Sequence, residues 1–378
     1  MIWPVSLTAL ADYDPPRVED AVAAVLAPLG GMAAFVRPGQ SVLLKPNLLM
    51  SKAPAAAVTT HPAIVRAVIL QAQAAGGRVS VGDSPGVGSP AKVAEACGIR
   101  AVVEETGAAL APFSESVPVP VGAGVFRQLE VAQDLLSADV VINLPKLKTH
   151  QMMGFTCAVK NLFGAIVGMR KPGLHLQAGA DKALFARMLL DLADRLAPAL
   201  TIVDAVVGME GDGPSGGMPV QLGALLAGPS PLAVDTVACV LAGLPAELAW
   251  TQRVARGLGR PEAELSRLTL LGTPLADLAH PGIRPSKVTD VHFGIPAPLR
   301  RPLTRALTAR PVIDHGLCQR CGHCVTHCPP QCMTLDGKVR IASAQCIRCF
   351  CCQELCPHHA ILTRQGVLLR VMRFLQGA

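Results

Sequence analysis

The stretch CIRCFCCQELCP, residues 346–357, places five cysteines within twelve residues. An earlier stretch, CQRCGHCVTHCP at residues 318–329, repeats the pattern Cys-x2-Cys-x2-Cys-x3-Cys-Pro. Three closely spaced thiolates can bind three irons of one cubane iron–sulfur cluster, while the fourth cysteine, before the proline, reaches the other cluster. The predicted ligands are Cys318, Cys321, Cys324 and Cys356 for one cluster (cluster A), and Cys346, Cys349, Cys352 and Cys328 for the other (cluster B).

The spacing favours iron over zinc. Paired Cys-x2-Cys knuckles bind zinc, but zinc needs neither a third cysteine two residues further on nor a following x3-Cys-Pro. Alignment of the two runs also identifies cysteines that are not ligands. Cys351 falls opposite the spacer His323, and Cys332 falls opposite Ala360, which predicts a small buried hydrophobe. A redox role for Cys351 stays open, since a thiol beside other thiols can react if it is exposed.

Between the two runs, MTLDGKVRI at 333–341 predicts a short hairpin with its turn at Asp336-Gly337. The whole segment closely resembles bacterial two-cluster ferredoxins, and this resemblance implies two 4Fe-4S clusters in a small α+β domain. Ten of the thirteen cysteines lie between Cys318 and Cys356. Such clustering indicates metal chemistry in a reducing compartment rather than disulfides.

Composition limits the class of protein further. Of 378 residues, 51% are apolar and 16% charged, which is typical of a globular chain. No apolar run reaches the length of a membrane span without Gly or Pro, and the N-terminal MIWPVSLTALADYD has no basic region before its apolar run. We therefore expect a cytoplasmic protein without a membrane span. The net charge of +7 is not arranged as a basic run with aromatics, so nucleic acid is not an expected partner.

The larger part of the chain alternates apolar runs with helical patterns. Candidate strands lie at 41–49, 78–83, 138–148, 200–209 and 222–228, and candidate helices at 61–77, 89–98, 181–197 and 231–243. This alternation predicts an α/β fold with a Rossmann-like, largely parallel sheet. We expect this domain at 1–291, a Pro- and Arg-rich linker at 292–312, the ferredoxin-like domain at 313–364 and a tail at 365–378.

Polar residues follow several predicted strands, where ligands bind in open α/β sheets. Lys45 and Asn47 end the first strand, and His61 follows across a loop. Asp83 begins the loop DSPGVGSP before a helix, with Ser89 as the expected N-cap. The run GVGSPA at 86–91 matches a dinucleotide-binding pattern, but residues 82–85 separate it from the strand, so its context is poor.

The most informative segment of this domain is NLPKLKTHQMMGFTCAVKNLFG at 143–164. In an extended conformation Lys146, Lys148 and His150 share one face. Together with Lys160-Asn161 they predict a site for a phosphate or carboxylate. The alternative is a solvated strand edge that uses its lysines against aggregation.

A Gly-rich loop in DAVVGMEGDGPSGG at 204–217 carries Asp204, Glu210 and Asp212. Loop carboxylates bind a metal, act as a base or cap turns, and all three roles stay open here. Asp235 begins the next helix and is expected to be structural.

Several ordered motifs together look like one family, DUF362, a domain of unknown function often followed by a two-cluster ferredoxin module. The motifs are LKPNLL, THPAIVRAVI, GDSPG, LPKLKTH, VKNLFGAIVGMRKPGLH, VDAVVGMEGDGPSGG and PLAVDTVA. This resemblance implies an iron–sulfur protein but supplies no reaction. The domain is also distantly similar to the nickel-dependent lactate racemase superfamily, without a cofactor-binding residue that transfers.

These features predict a redox protein in which the ferredoxin module relays electrons to or from an anion-binding α/β domain. Lys146 and Lys148 would neutralise the ligand, His150 would transfer a proton, and Asp83 or Asp212 would hold a metal or act as the base. The alternative is a non-enzymatic electron carrier or assembly subunit that docks a partner oxidoreductase. The sequence does not determine the oligomeric state.

Overall fold

A computed structural model describes residues 3–86, 88–122, 126–168, 170–179, 181–287 and 310–364. The linker expected at 292–312 lies outside these residues except for its last three. Those three begin a strand, Arg310–Ile313. The tail expected at 365–378 also lies outside the described residues.

A ten-stranded mixed sheet forms the centre of the larger domain. Its order is β12-β1-β11-β10-β7-β2-β3-β4, with β8 joined to β10 and to β9, while β5 and β6 form a separate ribbon. The strands are β1 Trp3–Ala9, β2 Ser41–Pro46, β3 Arg78–Val81, β4 Ala109–Leu110, β5 Ser116–Pro120, β6 Gln128–Ala132, β7 Val140–Leu144, β8 Lys146–His150, β9 Gly154–Thr156, β10 Leu200–Glu210, β11 Met218–Gly228 and β12 Leu268–Gly272.

Most neighbouring strands of this sheet are parallel, which confirms the predicted fold class. The pairs β10–β7, β7–β2, β2–β3 and β3–β4 run parallel, whereas β11 is antiparallel to both β10 and β1. Because parallel strands end at one edge, Lys45 at the end of β2 lies opposite Asn143 of β7, and Asp83 follows β3 at the same edge. This edge is where the candidate site forms.

The single strand predicted over 138–148 is wrong in one respect, because the chain breaks at Pro145 into β7 and β8. Proline has no backbone N–H to donate to a ladder. After Pro145 the chain changes partners, and β8 pairs with β10 on one side and β9 on the other. This change turns the lysines of β8 into the interior.

Helices cover both faces of the sheet. Successive residues of β2 point to opposite faces of the sheet. Val42 and Leu44 pack into one apolar cluster with the helices Pro15–Leu26 and Pro62–Ala74, whereas Leu43 packs into another cluster with the helix Lys182–Leu196. The predicted cap at Ser89 is confirmed, since its Oγ accepts the Lys92 N–H. The helices are α1 Pro15–Leu26, α2 Pro62–Ala74, α3 Pro90–Ala96, α4 Ile99–Thr106, α5 Gln133–Ser137, α6 Ala158–Asn161, α7 Arg170–Ala178, α8 Lys182–Leu196, α9 Pro231–Leu241, α10 Trp250–Gly257 and α11 Leu275–Leu278.

The ferredoxin-like region has two antiparallel strand pairs and two short helices. The predicted hairpin is confirmed as β14 Met333–Asp336 and β15 Lys338–Ile341, with Gly337 between them at φ 63°. Strand β13 Arg310–Ile313 pairs with β16 Ile361–Arg364. Each cysteine run contains a single helical turn, α12 His323–Thr326 in the first run and α13 Cys351–Glu354 in the second.

The two regions pack against each other along a surface that we call the seam. Cys349, Cys351 and Leu355 belong to the same apolar cluster as Leu162 and Phe163 of the larger domain. Hydrophobic burial therefore extends across the seam without a break. Among the helices in the described residues, none has the length and apolar character needed to cross a membrane.

Candidate functional site

The eight predicted ligand cysteines gather in two groups. Burial raises the pKa of Cys324 to about 11, and the neighbouring thiols that add to this effect belong to Cys356, Cys318 and Cys321. Burial also raises the pKa of Cys352, with a further contribution from its neighbours Cys349, Cys346 and Cys328. Four neighbouring thiolates, several of them buried, need positive charge among them, which the irons of a cluster provide. The residues present therefore fit two clusters.

Cubane clusters fit this arrangement better than zinc does. One zinc ion gathers its ligands around a single point, at Zn–S distances of about 2.3 Å. Each run instead supplies three cysteines separated by two residues and a fourth before a proline, which is the pattern of ligands to two cubes. In a cube each thiolate binds its own iron, so the sulfurs need not meet.

Two cysteines of the ferredoxin-like region lie outside the predicted ligand sets, and both are buried. Cys332 Sγ lies 3.5 Å from Cys328 Sγ in the core of the small region. The thiol of Cys351 donates a hydrogen bond to Cys349, which lowers the pKa of Cys349 and raises that of Cys351. Cys351 therefore contacts a predicted cluster B ligand directly.

A cavity of about 80 Å³ lies at the seam, bounded by both regions. We call it the seam cavity. Its polar wall comes mainly from the ends of β2, β3 and β8 and from α6 and α7, and its other wall comes from the ferredoxin-like region. The lining includes Asn47, Asp83, Ser84, Lys148, Lys160, Asn161, Phe163, Lys171 and His175 on one side, and His327, Cys351, Glu354 and Leu355 on the other.

Lys148 is almost fully buried, although it faces this cavity. Its Nζ donates to Asn47 Oδ1 and to the Val58 carbonyl, each at 2.7 Å. Burial lowers the pKa of Lys148 to about 7, and the positive charges of Lys160 and Lys146 add to the effect. The alternative interpretation of β8 as a solvated edge is wrong, because every residue of the strand is buried.

A buried ion pair joins the ends of β2 and β3. Lys45 Nζ lies 2.7 Å from Asp83 Oδ1 and donates to the Asn161 carbonyl at 2.6 Å. Asp83 lines the cavity, whereas Lys45 lies behind it. A Cβ on Gly164 would lie 2.0 Å from Asp83 Oδ1, so only glycine permits this close approach. The pair fixes Asp83 as one charged wall of the cavity.

Lys146 and His61, two other predicted site residues, do not line the cavity. Lys146 Nζ instead donates to Asp204 Oδ2 at 2.8 Å and to the Tyr13 hydroxyl at 2.7 Å. The ring of His61 stacks on Tyr13, with centroids 3.6 Å apart. This is a separate buried cluster whose charges are paired internally.

His150 also lies outside the lining, but it bridges the seam. Its Nδ1 accepts the backbone N–H groups of Met152 and Met153, at 3.1 and 3.2 Å, so the ring proton belongs on Nε2. That atom lies 2.9 Å from Glu354 Oε1. Burial lowers the pKa of His150, so the ring is neutral at pH 7. Burial opposes ionisation of Glu354, yet the contact with His150 and the charge of Lys160 hold its pKa low.

Asp212 of the Gly-rich loop and Asp235 of helix α9 do not line the seam cavity. Asp212 accepts from Gln151 Nε2 at 2.6 Å and from Lys287 Nζ at 2.8 Å. Asp235 accepts the backbone N–H groups of Ala158 and Val159 and so fixes the start of α6, which carries Lys160. Both carboxylates anchor neighbouring segments.

Sequence reasoning did not select Lys171 or His175, which line the cavity together with Ser84. Lys171 Nζ donates to the Ser84 carbonyl at 2.7 Å, and burial lowers its pKa to about 7. His175 is buried against Phe185, and its Nδ1 has no hydrogen-bond partner among the described residues. These polar residues belong to the motifs GDSPG and RKPGLH, which are far apart in the sequence and come together only in the folded chain.

The two cysteine runs place the chain among ferredoxin-like iron–sulfur proteins, and here they stand beside an α/β domain with a cavity between the two regions. The family model described as a domain of unknown function, DUF362, matches residues 42–240, and the 4Fe-4S dicluster domain matches residues 310–357. The chain belongs to the DUF362 family. It has two 4Fe-4S clusters, and its dicluster domain supports a role in iron–sulfur electron transfer.

Three comparisons with individual proteins accompany the family match. The thylakoid-associated protein sll1697 of Synechocystis is 36% identical over 308 residues, covering 79% of this chain and 93% of that protein. A ferredoxin of Pyrobaculum islandicum is 44% identical over 54 residues, which is 14% of this chain and 50% of that protein. The lactate racemase apoprotein of Thermoanaerobacterium thermosaccharolyticum aligns at a TM-score of 0.37 and 12% identity, over 63% of this chain and 56% of that one. The last likeness supports no functional conclusion.

Proposed function

We propose that the protein is an iron–sulfur redox protein that binds an anionic small molecule in the seam cavity. The observation that supports this most strongly is the shared lining, with Lys148 and Lys160 on one side and Cys351 and Glu354 on the other. A molecule in the cavity would touch the α/β domain and the helix that follows Cys349 at once. The clusters, held by the eight cysteines, would supply or accept single electrons.

Lys160 is the first candidate to bind the anion. Within the described residues, its ammonium makes no hydrogen bond and no ion pair, and it lies 5.6 Å from the centroid of the Phe163 ring. Lys148 uses two of its three N–H donors on Asn47 and Val58, which leaves one donor for a ligand. An ammonium without a carboxylate partner in a partly buried wall favours a carboxylate or phosphate ligand.

The remaining lining would orient the ligand and limit water. Leu49, Phe163 and Leu355 give the cavity an apolar surface, which excludes solvent and strengthens the charge interactions of the lysines. Lys148, with its pKa of about 7, is able to hold or release a proton at Nζ near neutral pH. We assign it the proton-transfer role that the sequence suggested for His150.

Anaerobic purification with mass spectrometry of retained small molecules tests the proposal. We expect the wild-type protein to retain or bind an anionic molecule that raises its melting temperature. Lys160→Met should remove that stabilisation while iron and acid-labile sulfide stay unchanged. An equal stabilisation of wild type and Lys160→Met would contradict the assignment of the site.

One observation favours a second candidate function, an electron carrier or assembly subunit that docks a partner oxidoreductase. Cys321, a predicted cluster A ligand, is exposed. Leu317 and Leu335 of the same region are 49% and 41% exposed, and apolar side chains at the surface are available for contact with a partner. Stable co-purification with a reductase, together with no bound small molecule, would favour this role.

We also propose a cytoplasmic location. The support is the concentration of reduced cysteines, which a reducing compartment maintains. The name of the Synechocystis relative associates that protein with thylakoids. Cell fractionation with an antibody to this chain would distinguish a soluble fraction from a membrane-bound one.

A further inference from the structure

We infer that the ligand of the seam cavity carries at least two negative charges, as a dicarboxylate or a phosphate ester does. This inference rests on the proposed function and specifies the chemical class of its ligand. The reasons are the balance of charge around the cavity and the number of hydrogen-bond donors that remain unused there.

The charged groups at the cavity do not balance within the described residues. Three ammonium groups line it, those of Lys148, Lys160 and Lys171, and two carboxylates, those of Asp83 and Glu354. Asp83 is already paired with a fourth ammonium, that of Lys45, at 2.7 Å. Glu354 is then the one lining carboxylate left to offset three lining lysines, so when all three lysines are protonated two positive charges have no partner.

Neighbouring groups do not remove this excess. Lys146, the next cation along β8, is neutralised by Asp204 at 2.8 Å. His150, which contacts Glu354, is neutral because burial lowers its pKa. The excess positive charge thus belongs to the cavity.

The clusters are a competing destination for this positive charge, since their thiolates are negative. Among the described residues, none of the eight predicted ligand cysteines lines the cavity, and the cysteine that does, Cys351, lies outside the ligand sets. The cavity wall therefore presents its lysines without a cluster ligand among them.

The unused donors also suit a ligand with several anionic oxygens. All three N–H donors of Lys160 and one of Lys148 are free among the described residues. Ser84 Oγ accepts from the Gly168 N–H and from Lys171 Nζ, each at 3.0 Å, so its own O–H remains to donate. Lys171 uses its donors on Ser84 and Pro85 and contributes charge alone.

His175 adds an independent observation. Its side chain is buried and lines the cavity, yet its Nδ1 has no hydrogen-bond partner among the described residues. A buried polar atom without a partner is costly, and a bound molecule would satisfy it. The three free N–H donors of Lys160, the one of Lys148 and the O–H of Ser84 make five donors, more than the roughly four acceptor positions of a single carboxylate.

Binding of a dianion should be linked to proton uptake. Burial lowers the pKa values of Lys148 and Lys171 to about 7, so above that pH both are mostly neutral in the free protein. Two negative charges beside them would raise both pKa values again. The affinity should therefore weaken as the pH rises above 7, by roughly tenfold per pH unit for each lysine that takes up a proton.

Anaerobic calorimetry on the holoprotein tests the inference with three probes: succinate, glycerol 3-phosphate and acetate. The measurements run from pH 7 to 9, where the charge of succinate and acetate is constant. We expect at least one dianion to bind tenfold or more tighter than acetate, with proton uptake seen in buffers of different ionisation enthalpy. The dianion that binds tighter distinguishes a dicarboxylate site from a phosphate-ester site.

Two variants locate the binding, and one serves as a control. Lys160→Met and Ser84→Ala should each weaken the dianion at least tenfold, with cluster absorbance unchanged as evidence of folding. Lys92→Met, on the exposed surface, should leave the Kd unchanged. Acetate binding as tightly as the dianions, with both weakened by Lys160→Met, would overturn the dianion inference but leave the anion site. If none of the three probes binds in a way that depends on Lys160, both the dianion inference and the proposed anion site are overturned.

Discussion

Nε2 of His150 lies 2.9 Å from Oε1 of Glu354, and this contact joins β8 of the α/β domain to helix α13 of the ferredoxin-like region. Both side chains are largely removed from water. The contact is positioned between the lysines of the seam cavity and the cysteines of cluster B. It is therefore a direct physical link between the two halves of the proposed function.

Removal of His150 should destabilise the folded chain. His150→Leu would leave the Glu354 carboxylate buried without its partner, and an unsatisfied buried acceptor costs at least about 1–3 kcal/mol. Denaturant unfolding under anaerobic conditions measures this cost. As the control, Glu247→Gln removes an exposed partner of Arg256 and should change the free energy of unfolding by less than about 1 kcal/mol. Equal effects of the two substitutions would rule out a stabilising role for the seam contact.

Adjacent cysteines should respond differently to substitution. Cys351→Ser should retain about eight irons and eight acid-labile sulfides per chain, because Cys351 is not a predicted ligand. Cys352→Ser should lose close to half of both, since it removes a ligand of cluster B. Iron and sulfide assays after anaerobic reconstitution provide the measurement. Loss of iron from Cys351→Ser would show that the alignment of the two runs is wrong.

The low pKa of Lys148 should appear in the pH dependence of stability. Its pKa is about 7 in the folded protein against an ordinary value of 10.5. Between these values the unfolded state binds more protons, so the free energy of unfolding should rise with pH. Lys148→Met should reduce this rise by up to about 1.4 kcal/mol per pH unit. Unfolding curves at pH 7.5, 8.5 and 9.5 test this, with Lys92→Met as the control. Parallel curves for wild type and Lys148→Met would contradict the shifted pKa.

Gly164 should not tolerate a methyl group. In Gly164→Ala the new Cβ would lie 2.0 Å from Asp83 Oδ1 and 2.7 Å from Lys45 Nζ. Such overpacking costs about 1–3 kcal/mol and would displace the ion pair at the cavity wall. Gly173→Ala is the matched control, because nothing lies within 4 Å of its Cβ position on α7. Differential scanning calorimetry should show a lower melting temperature for Gly164→Ala alone, and similar values for the two would refute the close approach.

The sequence allowed the clusters and fold class to be predicted because their signals are local. The spacing of Cys318 to Cys328 recurs from Cys346 to Cys356, and a repeat needs no tertiary information. Alternating apolar runs likewise predicted a largely parallel sheet. The antiparallel position of β11 between β1 and β10 had no comparable local signal.

The site was predicted less completely, since its composition depends on contacts between distant segments. Lys146 and Lys148 look equivalent in the sequence, yet Tyr13 and Asp204, separated by 191 residues, withdraw Lys146 from the cavity. Lys171 reaches the cavity through Ser84, a partner 87 residues away. No periodicity in the sequence encodes either contact.

The hydrogen bond from Cys351 to Cys349 has a thermodynamic consequence. Hydrogen bonds to cluster sulfurs help to set the reduction potential, and Cys351 is also part of the cavity wall. A ligand that moves this thiol would shift the potential of cluster B. By reciprocity, reduction of that cluster would change the affinity for the ligand by the corresponding factor. Under the proposed function, a single thiol outside the ligand sets would thus couple occupancy of the cavity to the redox state of cluster B.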